Sequence, residues 1–66
     1  MQLYRLISGP DDATFCMRIT ELLNKGWVLH GSPSLTFNGT STIVAQAVIK
    51  QVEGEAFSAD IALSAY

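Results

Sequence analysis

Apolar and polar positions change period along the chain, and each change marks an element. Over residues 2–8 (QLYRLIS) they alternate imperfectly, with Leu3, Arg5 and Ile7 on one side and Tyr4 and Leu6 on the other. Period-two alternation in β-rich residues, followed by Gly9-Pro10, predicts a strand that stops at the glycine. From Gly9-Pro10-Asp11-Asp12 the period lengthens. Proline suits a first helical turn, and two carboxylates there complement the positive end of the helix dipole, so a helix is expected over 11–25. At about 100° per residue, Phe15, Ile19, Leu22 and Leu23 fall in one stripe with Cys16 on its edge. Arg18, Glu21, Asn24 and Lys25 point away, Glu21 and Lys25 as a supporting i,i+4 pair, and Met17 is misplaced among them. Gly26 supplies the stop.

Residues 27–37 read as a second extended stretch, interrupted by Gly31-Ser32-Pro33. Asn38-Gly39 then marks a hairpin, and residues 41–50 (STIVAQAVIK) form the third strand. A two-residue turn at Asn38-Gly39 fixes the register. It sets Trp27 opposite Lys50, Leu29 opposite Val48 and Pro33 opposite Val44 on one face. Val28 opposite Ile49, His30 opposite Ala47 and Ser32 opposite Ala45 share the other. Pro33 cannot donate to a ladder, so the second strand is an edge or carries a bulge there. The third strand then lies in the middle, with the first parallel to the second across it. This is a split β-α-β, half of a ferredoxin-like fold. The expected architecture is one α+β domain of β-α-β-β order over residues 1–52, with one helix on one face of a three-stranded sheet. For the tail, 53–66, an added strand, a docked helix and a frayed end all remain open.

Composition narrows the function classes. A chain of 66 residues is one domain, and a core of that size supplies roughly 3–5 kcal/mol unless something reinforces it. The single cysteine, Cys16, excludes an internal disulfide, and no Cys/His cluster has zinc-site spacing. That leaves very good packing or a partner subunit, and with 48% hydrophobic residues competing for a small interior the second is favoured. Four Lys/Arg against six Asp/Glu give a net charge of −2 with no basic run. That balance argues against nucleic acid and against an anionic membrane surface. No apolar run approaches the ~20 residues of a membrane span, and no signal-peptide pattern is present, so a cytoplasmic location is expected.

The residues Tyr4-Arg5-Leu6-Ile7-Ser8-Gly9-Pro10-Asp11-Asp12, then Phe15-Cys16, Asn24-Lys25-Gly26-Trp27, Gly31-Ser32-Pro33 and Ala45-Gln46-Ala47-Val48 occur in order and without large gaps. Over about residues 1–50 they resemble the small bacterial family called Domain of Unknown Function 1737. The resemblance implies a compact bacterial domain, sometimes attached to hydrolase-like proteins. It implies no activity and carries over no catalytic residue.

Candidate chemistry is sparse. Asp11 and Asp12 resemble a carboxylate pair, but capping of the helix start explains both positions. Cys16 and His30 invite a thiol-nucleophile reading. Cys16 lies a turn into the helix, however, and a buried, unreactive structural thiol is expected. Ser32 lacks a nucleophile-elbow pattern, and Ser8-Gly9-Pro10 lacks the glycine spacing and lysine of a phosphate loop. Trp27, just after the helix stop, is expected to anchor helix to sheet. No catalytic, cofactor or metal residue is assigned, and no cofactor is expected.

Both sheet faces carry apolar residues, yet one helix covers only one face. Trp27 and Leu29 are bulky and follow the helix, so their face is assigned to the core. The other face, with Val28, His30, Ala45, Ala47 and Ile49, is left for a partner. The expected function is a non-enzymatic interaction module that self-associates, a dimer being the simplest closed form. The alternative is a small-molecule or accessory domain for a hydrolase-like partner, with its pocket at Gly31-Ser32-Pro33.

Overall fold

The computed structural model describes Met1–Tyr66 and contains β1 (Gln2–Pro10), α1 (Ala13–Asn24), β2 (Val28–Phe37), β3 (Thr42–Gln51) and a short 3-10 turn at Leu63–Ala65. The sheet order is β1-β3-β2, with β3 antiparallel to both neighbours. The split β-α-β arrangement expected from the pattern is therefore the one formed.

Alternation along β1 decides where the core lies. Leu3 and Ile7 point to the helix side and are buried with Leu22, Trp27 and Val48, while Phe15 and Ile19 pack partly against them. Trp27 and Val48 are the largest fully enclosed side chains. The face assigned to the core is thus the one the helix covers. Arg5, also on this side, places its guanidinium 5.7 Å from the centre of the Trp27 ring. The Trp27 indole N–H is buried without an acceptor.

The first junction differs from expectation. β1 does not stop at Gly9: it pairs through Pro10, opposite Ile43, and Asp11 N donates to Thr42 O at 3.0 Å. Pro10 is tolerated because β1 is an edge strand. The helix starts at Ala13 rather than at residue 11, and Asp12 is its N-cap, accepting from Phe15 N at 3.1 Å. At the other end Lys25 is the C-cap, and Gly26 turns the chain with φ 97°. A left-handed residue in that position favours glycine.

The hairpin is also wider than a two-residue turn. Phe37 pairs with Thr42, leaving a four-residue loop in which Asn38 Oδ1 accepts from Thr40 N and Ser41 N, both at 2.9 Å. Near the turn, Ser34 therefore faces Ala45 and Leu35 faces Val44, not Ser32 and Pro33 as expected. Between His30 and Ser34 the register shifts through a bulge with Gly31 at φ 72°. Beyond it the expected pairs Leu29–Val48 and Val28–Ile49 are restored. The expected interruption at Pro33 is this bulge.

Gln46 closes the bulge from the middle strand. It is buried, and its Nε2 donates to the carbonyls of His30 (3.2 Å), Gly31 (3.3 Å) and Ala47 (2.9 Å). Replacing it by the similarly sized Leu leaves these carbonyls without that donor. Gln46→Leu is expected to cost about 1–3 kcal/mol, a melting-point fall of roughly 5–20 °C in a chain this short. Thermal denaturation with no change in midpoint would contradict this role.

The tail adds neither a strand nor an α-helix. Ile61, Leu63 and Tyr66 pack against the core, and Lys50 Nζ donates to the Tyr66 main-chain oxygen at 2.6 Å. Tyr66 Oη donates to Glu55 Oε2 at 2.8 Å, and this contact with a carboxylate raises the phenol's pKa. The tail thus reinforces the helix side and leaves the other face of the sheet uncovered.

Candidate functional site: the open sheet face

Strand alternation fixes what the open face presents. From β3 come Ile43, Ala45, Ala47 and Ile49; from β1, Tyr4 opposite Ile49 and Leu6 opposite Ala47; from β2, Val28 and His30 opposite Ile49 and Ala47. All five residues expected at an interface, Val28, His30, Ala45, Ala47 and Ile49, share this face. The two small alanines form a shallow floor between the larger flanking side chains. Tyr4 (56% exposed), Leu6 (61%) and Val28 (59%) each leave more than half of their surface in solvent. Tyr4 and Leu6 were not among the expected interface residues. Their alternation with Leu3 was the available signal, but it needed the β1–β3 register to become a position.

The electrostatic character of the face is equally plain. By register it carries no Asp, Glu, Lys or Arg; its polar members are Gln2, Ser8, His30, Ser34, Thr36 and Gln51. All ten formally charged side chains of the chain lie on the helix, the tail, the turns or the helix side of the sheet. β2 is exposed at every position, so it is the least covered element.

The other candidates are not brought together. Cys16 belongs to the helix side and His30 to the open face, so the sheet separates them. Asp12 is occupied as a cap and Asp11 joins the β1–β3 junction through its backbone. No group of three or more His, Cys, Asp and Glu side chains is arranged to hold a metal ion. No helix is long and apolar enough to cross a membrane.

Cys16 itself overturns an expectation: it is exposed, not packed at the helix–sheet boundary. The helix rests its apolar stripe on Leu3, Ile7 and Val48, and Cys16, on the β2-facing edge, borders an open cleft with Phe15, Ile19, Leu29 and Pro33. Native-state labelling by a thiol reagent is therefore expected at a rate close to that of a free model thiol. Protection of about tenfold or more on folding would contradict this placement.

No curated protein and no solved structure shows significant similarity to the chain. The family comparison does give a match, and it spans β1, α1, β2 and β3 together, which is the whole of the sheet that carries the open face. Residues 1–51 match the family described as "Domain of unknown function (DUF1737)", and the chain belongs to that family.

Proposed function

We propose that this domain is a non-enzymatic interaction module that forms a homodimer by stacking its open sheet face on that of a second copy. The observation that carries this reading is an uncharged, largely apolar face with no covering element. An exposed apolar patch of this kind marks an interface.

Surface area and shape support it. The accessible surface is 4557 Å² for a 7.1 kDa chain, whereas a compact monomer of this mass exposes about 4,100 Å². The radius of gyration is 13.4 Å, against about 11 Å for a compact chain of this length. Only 6 of 66 residues are buried, which is a small core for independent stability.

A second copy is favoured over a different partner by charge. Docking a charged surface on this face leaves the charges desolvated with nothing to pair with, at a cost of several kcal/mol. The face of another copy is free of such groups. Edge-to-edge pairing is disfavoured because β2 is broken by the bulge and Pro33, while Pro10 ends β1.

The area also sets the strength. Three strands about 4.8 Å apart and nine residues at about 3.3 Å each give about 400 Å² of projected face per copy. Two such faces, about 800 Å² together, fall below the standard specific interface and among weak or transient ones, so a micromolar rather than nanomolar dissociation constant is expected. Sedimentation across a dilution series tests this. Twice the 7.1 kDa chain mass is expected at about 100 µM, with dissociation on dilution. A monomer at that concentration would remove the proposal.

A further inference from the structure

We propose that a cleft between β1 and α1, on the side of the sheet away from the open face, binds a small phosphate group, either the free ion or a monoester. The cleft measures about 200 Å³ and is bordered by Arg5 from β1, Arg18, Glu21 and Lys25 from the helix and its cap, and Ser64 from the C-terminal turn, with Ile7 in its lining. One water occupies about 30 Å³ of liquid, so the space admits an oxyanion with a small substituent.

Charge is what sets the cleft apart. The chain holds four Lys/Arg and six Asp/Glu, yet three of those cations and one carboxylate border this one cavity. The local surplus is two positive charges on a protein that is acidic overall. A phosphate monoester carries about −1.5 to −2 at neutral pH and matches that surplus. A carboxylate balances only half of it.

The donors are also held in place. Arg5 lies over the Trp27 ring, which uses the flat face of the guanidinium and leaves its N–H edge to bind. Arg18 Nη1 donates to Ser8 O at 3.2 Å, which anchors the side chain while its remaining N–H groups stay available. Arg18 and Lys25 are two helical turns apart and so share a face. Ser64 reaches the rim because Ile61, Leu63 and Tyr66 dock on the core and Lys50 holds the Tyr66 main-chain oxygen. Its hydroxyl adds a neutral donor. None of these residues lies on the open face, so this site stands or falls separately from the dimer.

The test is a titration of the ¹⁵N-labelled chain with inorganic phosphate, methyl phosphate and acetate, each at constant ionic strength. The readouts are the arginine Nε–Hε signals of Arg5 and Arg18 and the Ser64 amide. Saturable shifts at all three are expected with phosphate. Arg18→Gln, at an exposed helix position, is expected to weaken binding about ten- to a hundredfold through loss of charged hydrogen bonds. Ser64→Ala is expected to weaken it only a few-fold. Methyl phosphate binding at least as tightly as inorganic phosphate assigns the site to a monoester, and weaker binding assigns it to the free ion. Acetate binding as tightly as phosphate, shifts that do not saturate, or an Arg18→Gln titration superimposable on the native one would overturn the site.

Discussion

Trp27→Ala is expected to abolish cooperative folding of the isolated chain at room temperature. Trp27 is 2% exposed and joins Leu3 and Ile7 of β1, Leu22 of α1 and Val48 of β3 in the five-residue buried core. Truncating a buried Trp to Ala costs about 3–5 kcal/mol. That equals the whole stability a core of this size supplies, about 3–5 kcal/mol. The loss of the ring also removes the support beneath Arg5. Trp27→Phe separates volume from polarity. It keeps most of the ring but deletes an indole N–H that has no acceptor, and an unpaired buried donor itself costs about 1–3 kcal/mol. The cavity left by the smaller ring opposes this relief, so the Phe variant is expected to fold, at a melting point close to that of the native chain. Circular dichroism melts check both. A cooperative transition in Trp27→Ala near the native midpoint would show that the core does not depend on this residue.

The second large effect is expected at the open face. Ala47 sits at the centre of β3, paired with Leu6 on one side and His30 on the other. In the proposed dimer Ala47→Glu places a carboxylate in the middle of a dry contact, with no cation on either copy's face to meet it. Burying that charge costs several kcal/mol, which at about 1.4 kcal/mol per tenfold shifts a micromolar dissociation constant beyond the millimolar range. The monomer, in which this face is open, is expected to keep its stability to within about 1 kcal/mol. Leu35→Glu is the comparison. Leu35 is 67% exposed and faces the helix side of the sheet opposite Val44, so it is expected to leave the dimer intact. Dissociation by Leu35→Glu and not by Ala47→Glu would mean that the partner covers β2 from its helix side.

Much of this fold was legible because two local signals agree. The period-two pattern in β1 and the period near 3.6 in α1 both point Leu3, Ile7 and Leu22 to one side, where they meet. The pairs His30–Ala47 and Val28–Ile49 were also correct, but for an incomplete reason. The Asn38 side chain closes a four-residue loop by accepting two backbone N–H groups. The bulge at residues 31–33 then absorbs the two extra positions, so the two departures cancel before His30. The wider loop is not visible in an Asn-Gly pair, because side-chain capping is settled only when the strands meet. The bulge is signalled at Gly31-Ser32-Pro33, but its size is set by closure on Gln46.

Features that depend on neighbours across the fold were not readable in this way. Cys16 lies on the edge of the apolar stripe, and whether that edge is covered depends on where β2 runs relative to the helix. Arg18 and Lys25 fall on the polar side of α1, which reads as a solvated face. Their convergence with Arg5 follows only from the way the helix settles against β1. The tail alternates as a strand would, yet no free sheet edge receives it. Lys50, Glu55 and the core fix it instead.

Isotope-filtered NOE spectroscopy on a mixture of labelled and unlabelled chains tests most directly whether the open face is a self-complementary contact. At about 1 mM, well above a micromolar dissociation constant, most of the chain is dimeric. Intermolecular cross-peaks are then expected from the Ala45 and Ala47 methyls to Tyr4, Leu6, Val28 or Ile49 of the other copy. Intermolecular peaks confined to Leu29, Leu35 and Phe37, or none at all, would contradict the assignment of the open face as the dimer interface.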